Sequence, residues 1–245
     1  MRGLLIVCIT LLFFTSCDEG WDCTLAEGDR TLIEIPTDIT IRHIRMFDDI
    51  NLMWHDSEDQ RLELETGENL IEGIFFDFKN DSLLEITNDN SCLFVRSPRN
   101  VTVHVYSRDI RLLEKVGFGE INTADNIMSE LRVDIVTLGS GNVNVSFQSA
   151  PVLFLTMRSL SNFTVSGEVD VLNVFIDRRN DGKIEARNLT VDAINIVHSG
   201  SNDMMLSPTT SIGGDLNSFG NILLYTEPET IDVTINGTGR IIEKF

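Results

Sequence analysis

Cysteine is the side chain with the clearest scope for covalent chemistry here, and the chain has four. Arg2 precedes an apolar run from Leu4 to Phe14, too short to cross a bilayer as a helix and of the length of a signal-peptide core. The run ends in Phe14-Thr15-Ser16-Cys17. Small residues directly before a cysteine match a bacterial lipobox, in which the thiol is acylated and becomes the mature N-terminus. Cys17 is therefore the expected lipidation site, and Cys8 leaves with residues 1–16. Each buried methylene of an acyl chain contributes about 0.8 kcal/mol, so several chains hold a protein on a membrane without a spanning helix. Cys23 and Cys92 remain, an even pair in an oxidising compartment. A disulfide across their 69-residue separation would stabilise the fold by about 4 kcal/mol in the chain-entropy description. The alternative is two unpaired buried thiols.

Acid–base and metal chemistry find less support. His43, His55, His104 and His198 lack a metal-binding spacing such as H-E-x-x-H. Gly139-Ser140-Gly141 reads as a turn, with no base near Ser140 in sequence and no G-x-S-x-G elbow anywhere. Asp177-Arg178-Arg179-Asn180-Asp181-Gly182 has a cation where a calcium loop needs an oxygen ligand, and reads as a turn. It is also the one local cluster that sets arginines beside acids, as lyase chemistry wants. With 38 acids in the chain, carboxylate pairs arise by chance, and no phosphate loop or dinucleotide fingerprint appears. The expectation is no catalytic residue, no metal and no cofactor.

Removing residues 1–16 takes away Arg2 and no acid, so the net charge moves from −19 to −20. Such a chain is repelled by nucleic acid. Asp18, Glu19 and Asp22 follow Cys17 at once and suit a lipidated acidic tether over residues 17–29.

The elements that position these residues are β-strands. Alternating runs such as Ile50–Trp54, Arg61–Glu65 and Val101–Tyr106 place apolar side chains on one face. From Gly117 onward a phrase recurs: a turn with Gly or Asn, then a β-prone run. The first apolar residues fall at positions 121, 143, 163, 184, 204, 222 and 241, in steps of 18 to 22. A period near twenty means stacked units that bury their apolar faces on one another. The expected fold is all-β, a right-handed parallel β-helix or solenoid of about 20 residues per coil, more irregular towards the N-terminus. A β-sandwich is the rival, though it calls for tight turns every 8–12 residues. Asn142, Asn162, Asn202 and Asn221 sit at corresponding turns, where Asn tolerates left-handed backbone angles and can form ladders across coils.

Met46-Phe-Asp-Asp-Ile-Asn-Leu52, Gly67-Glu-Asn-Leu-Ile71, Asn90-Ser-Cys-Leu-Phe-Val-Arg96, Gly139-Ser-Gly-Asn-Val143, Gly220-Asn-Ile-Leu-Leu-Tyr-Thr-Glu-Pro228 and Gly237-Thr-Gly-Arg240 together resemble the bacterial lipoproteins of the auto-transporter adhesin, head GIN domain family. The chain departs from the family's Gly-Ser-Gly turns at Gly117-Phe-Gly, Gly237-Thr-Gly and Ser161-Asn-Phe. The resemblance spans residues 30–245 and implies one β-helix-like domain. It also implies a location in the Gram-negative envelope, anchored by lipid to the outer membrane on its surface or periplasmic face. The partners it suggests are the membrane, through the N-terminal lipid, and a glycan or surface protein; the oligomeric state stays open. A carbohydrate-active enzyme on a β-helix scaffold is the alternative. Asp81-Ser82-Leu83 resembles a protein O-glycosylation acceptor phrase and reads equally well as a polar turn.

Overall fold

The computed structural model describes residues 27–90, 101–178 and 180–245. Cys17, Cys23 and Cys92 lie outside them, as does Arg179. The described part is a β-solenoid of about seven turns, roughly 20 residues apart. No helix among the described residues is long and apolar enough to cross a membrane.

Two columns of parallel strands run the length of the solenoid. The first stacks β8 (Leu112–Lys115), β11 (Val133–Thr137), β13 (Val152–Met157), the C-terminal halves of β14 (Ser161–Ile176), β15 (Ile184–His198) and β16 (Met204–Leu216), and then β18 (Thr230–Ile235). The second stacks β9 (Ile121–Thr123), β12 (Gly141–Ser149), the N-terminal halves of β14, β15 and β16, then β17 (Ile222–Leu224) and β19 (Ile241–Glu243). The second column pairs Ile121 with Val143, then Phe163, Ile184, Met204, Ile222 and Ile241. Those are the seven positions at which the sequence phrase recurs, so each period is one coil. Inward residues of every coil form one apolar core, with Phe147, Phe163, Leu153, Ile194 and Leu206 at most 1% exposed. Alternation of buried and exposed positions along each strand follows from the two-residue strand period.

The N-terminal third departs from simple succession. Strands β2 (His43–Met46) and β3 (Asn51–His55) form a complete coil, and Leu52 stacks under Ile121 across 69 residues of sequence. Between them the chain leaves the stack and builds β4 (Arg61–Gly67), a 3-10 turn at Glu68–Gly73, β5 (Ile74–Lys79), β6 (Leu83–Asn88) and β7 (Thr102–Tyr106). It places β6 and β7 on the far side of the first coil. The β2–β3 coil is therefore held between a coil made later and the rest of the rod. The antiparallel pairings are confined to this end: β5 on β6, β4 on β7, and β1 (Arg30–Glu34) on β4. The 3-10 turn passes directly into β5, whose Phe75, Phe76 and Phe78 favour extended backbone. The Asn80–Asp81 turn joining β5 to β6 has φ values of 51° and 57°, a left-handed pair favoured by Asn and Asp in hairpins.

Charge fixes the register of the inserted coil. Arg45 on β2 lies opposite Glu85 on β6 and Glu114 on β8, at 2.9 and 2.7 Å, and His43 reaches Glu114 at 2.5 Å. Opposite charges facing across strands stabilise this pairing, and a one-residue slip would turn every side chain to the other face.

Candidate functional surface

The repeated glycines are positioned by backbone proximity. At the corner between the two columns each turn lies directly on the turn of the preceding coil. A Cβ on Gly117 would sit 1.7 Å from the Asp48 carbonyl oxygen, one on Gly139 1.8 Å from that of Gly117, and one on Gly239 2.1 Å from that of Gly220. The middle residues of these turns point outward. Phe118, Leu160 and Phe219 are exposed there, but Ser140, Asp181 and Ser201 interrupt them, so they form no continuous apolar stripe.

The four turn asparagines occupy two lines. Asn142 and Asn162 are in register, and Asn162 Nδ2 donates to Asn142 Oδ1 at 3.2 Å. Asn221 falls in the same line and donates to Asp203 Oδ1 at 2.9 Å. Asn202 lies one residue earlier, on the line of Gly182 and Gly220, and its amide donates to the Asp181 carbonyl. None of the four takes a left-handed angle: the non-glycine residues with positive φ among the described ones are Asp48, Asn80 and Asp81. The tolerance of Asn for left-handed angles is thus not used at these turns, and the side-chain amides bond between coils instead. Asn144 to Asn122 (2.8 Å) and Asn195 to Asn173 (3.1 Å) repeat the pattern within the strands.

Two buried polar residues brace the turns from inside. Lys115 is 1% exposed, and its Nζ donates to the carbonyls of Ser140 and Gly141 at 2.7 and 2.8 Å. Burial pushes its pKa down to about 8, while Glu120 pulls the other way. The carbonyl bonds also favour the charged form. His198 occupies the corresponding inward position further along the column, with Nε2 against the Asn202 carbonyl at 2.9 Å and Nδ1 accepting from the Gly200 amide at 3.3 Å. This fixes the tautomer with the proton on Nε2, and burial holds the pKa of His198 below the usual histidine value. A base whose folded pKa is depressed binds fewer protons folded than unfolded, so stability rises with pH between the two values. For Lys115 that window runs from about 8 to the ordinary 10.5. The difference in melting temperature between Lys115→Met and the native chain is therefore expected to shift in favour of the native chain from pH 8 to pH 10. A pH-independent difference would contradict the assignment.

The residues weighed for chemistry are engaged structurally. Asp177 accepts from the Arg178 amide at 2.7 Å, and Asp181 accepts from the Ser201 hydroxyl. Ser140 contributes its carbonyl to Lys115. His55 and His104 share a 3.0 Å hydrogen bond, His104 reaches Glu65 at 3.2 Å, and His55 stacks on Tyr106 with centroids 4.1 Å apart. Desolvation holds the pKa of His55 below the usual histidine value. Glu65 is held at about 2, first by its hydrogen bond from Arg30 and then by that from His104. No group of His, Cys, Asp and Glu that could hold a metal ion occurs among the described residues.

The described residues include two recesses of note. One, of about 420 Å³, lies at a corner of the first coils and is lined by Glu58, Arg108, Asp109, Arg111, Glu130 and neighbouring apolar groups. Its cations are largely matched: Arg108 is held by Asp56, bidentate at 2.6 to 3.0 Å, and by Glu58 at 2.8 Å, while Arg111 lies 3.6 Å from Asp109. With acids at least as numerous as cations, the corner has little attraction for an anion. The other, of about 190 Å³, lies on the outer face of the first column, between the outward side chains of β13, β14 and β15. In register along the column, Phe154 precedes Asn173 and Asn195, and Thr156 precedes Phe175 and Val197. The Arg132 guanidinium lies 3.6 Å over the Phe154 ring and is itself held by both Asp134 oxygens at 2.7 to 3.0 Å. Sequence reading identified these strands but not this face. Superposing Val152–Thr156, Leu172–Ile176 and Ala193–Val197 on the coil period is the signal that would have shown it.

A stack of parallel coils around a packed apolar interior defines a β-solenoid. The sequence profile described as "Putative auto-transporter adhesin, head GIN domain" matches residues 40–228, and the chain belongs to that family. Comparison with curated proteins finds no significant match. Among solved structures, a protein described as "a putative adhesin" from Bacteroides fragilis is similar at 17% identity and a TM-score of 0.72, covering 87% of this chain and 97% of its own. A "putative lipid binding protein" from Parabacteroides distasonis shares 19% identity with a TM-score of 0.63, covering 89% and 98%. A "putative adhesin" from Parabacteroides merdae shares 16% identity with a TM-score of 0.57, covering 89% and 97%. At these identities the likeness is one of fold.

Proposed function

We propose that this chain is a non-catalytic envelope lipoprotein that displays its solenoid as an adhesive binding module. In this reading residues 1–16 are removed as a signal peptide, Cys17 carries the lipid, residues 17–29 form the tether, and residues 30–245 are the binding domain. A Cys23–Cys92 disulfide would clip the tether to the body. The outer membrane is the membrane that suits this anchor, and the ligand is a glycan or a surface protein. The observation that carries the reading is the outer face of the first column, where Phe175 and Val197 stand open to solvent beside Phe154 on a strongly acidic chain. The turn acids considered for catalysis are already bonded, Asp177 within its own turn and Asp181 to Ser201 of the next coil, which favours binding over turnover. The large aromatics Trp54, Phe147 and Phe163 are wholly buried in the interior, so a lipid ligand, suggested by the name of one structural neighbour, would have to lie on the outside.

Fractionation of cells making the native chain and Cys17→Ser tests the anchor. The native chain is expected in the membrane fraction and the variant in the soluble or uncleaved precursor pool. Equal membrane retention of a processed Cys17→Ser protein would refute lipid anchoring. Adhesion of cells to glycan- or matrix-coated surfaces, with and without the protein, tests the binding role.

A further inference from the structure

We infer that the recess on the first column, bounded by Phe154, Phe175 and Val197 and floored by Asn173 and Asn195, is a subsite for one uncharged sugar ring of a glycan. This rests on the reading of the chain as a binding module and names the chemistry that the module recognises.

Charge is the first argument. Over three successive coils the outward residues of this column are Phe154 and Thr156, Asn173 and Phe175, then Asn195 and Val197, none of them ionised. On either side the same rows carry charge, with Glu85, Arg45, Glu114 and Asp134 before them and Asp215 and Asp232 after. The one charge at the recess, Arg132 on the Phe154 edge, is already held by both Asp134 oxygens, so on a chain of net charge −19 the patch offers little to a phosphate or sulfate, and the surrounding acids repel both.

The second argument is composition. Phe175 and Val197 are 39% and 37% exposed, side by side on adjacent strands, where a soluble protein usually places polar groups. An apolar ligand alone would leave the amides beneath it without partners, at a cost. The Asn195-to-Asn173 hydrogen bond uses one donor and one acceptor, and each amide retains further hydrogen-bonding capacity. A pyranose has the matching pair of surfaces: a C–H face that meets the negative face of an aromatic ring, and hydroxyls that both donate and accept. A volume of about 190 Å³ is small beside the pockets that enclose drug-sized ligands, and suits a single ring resting on a sheet.

The third argument is preorganisation. Phe154 is held in place by Arg132, which is clamped by Asp134, and both amides are fixed to one another on packed strands. Little side-chain freedom is left to lose on binding.

The test is titration of the full chain, purified in detergent, with uncharged gluco-, galacto- and manno-oligosaccharides and with their sulfated counterparts. Binding is followed by calorimetry and by saturation-transfer NMR. At least one uncharged oligosaccharide is expected to bind, more tightly than its sulfated form. Phe175→Ala and Asn195→Ala are each expected to weaken that binding at least tenfold. Phe175→Tyr is expected to retain it, as is Phe118→Ala, which removes an exposed aromatic at a turn. Circular dichroism confirms that each variant is folded. Glycan binding that Phe175→Ala and Asn195→Ala leave unchanged overturns the subsite while sparing the adhesive reading. So does failure of every uncharged sugar while cells still adhere through the protein. Cells that make the protein adhering no better than cells that lack it, with no sugar bound, would count against both.

Discussion

Gly139→Ala is expected to lower the melting temperature by about 6 °C or more, the larger of the glycine effects being set by backbone contact and not by φ. The added methyl would lie 1.8 Å from the Gly117 carbonyl oxygen and 2.3 Å from that of Val116. Both are main-chain atoms held by the coil below, so relief requires the stacked turns to separate. Overpacking of this kind costs about 3 kcal/mol, and in a domain of this length each kcal/mol shifts the midpoint by about 2–4 °C. Gly213→Ala supplies the contrast. It lies on an outward strand position where a Cβ meets a single atom, Asp232 O at 3.3 Å, and should change stability by about 1 kcal/mol at most. Thermal unfolding of the two variants decides the matter. Equal effects would mean that the turns do not stack as described.

Trp54→Ala is the second large effect. Trp54 is wholly buried on the inserted coil, its Nε1 donates to the Ser107 carbonyl at 2.7 Å, and its ring meets Phe147 edge-on at 6.2 Å. Phe147 belongs to a coil formed 93 residues later in the chain, and Ser107 to the segment that leaves the stack and returns. Truncation therefore removes a contact that joins three separate stretches of sequence. The expected loss is about 3–5 kcal/mol, with the orphaned Ser107 carbonyl adding to it. Chemical denaturation measures this directly. Trp54→Phe should recover much of the packing and not the hydrogen bond. A Trp54→Ala chain as stable as the native one would place this residue outside the core.

The rod was legible in the sequence because its grammar repeats. Ile121, Val143, Phe163, Ile184, Met204, Ile222 and Ile241 could be aligned by their preceding turns alone, and the strand register joins the same seven residues. The inserted coil was not legible. Leu52 has the right character to precede Ile121, but 69 residues separate them, and periodicity cannot reveal a neighbour displaced by an excursion of that length. Ile50–Trp54 and Arg61–Glu65 are adjacent in sequence, yet β7 lies between them in the sheet. The reason for the glycines was also hidden. Composition suggests conformational freedom, whereas at Gly117 and Gly139 what matters is the space a side chain would fill. The candidate subsite is legible only once the coils are in register, because Phe154, Asn173, Phe175, Asn195 and Val197 belong to three different periods.

The central claim is that residues one period apart are one strand spacing apart in space, in strict succession. Asn122, Asn144, Thr164, Glu185, Met205, Leu223 and Ile242 form one outward row. Spin labels placed in pairs along it, read by electron–electron dipolar spectroscopy, measure the rise per coil. At about 4.8 Å per step, backbone separations should be about 19 Å from Asn122 to Met205 and about 29 Å from Asn122 to Ile242, increasing linearly with the number of coils. A separation that levels off or shortens between the fourth and sixth coils would show that the chain folds back on itself, and the solenoid would have to be abandoned.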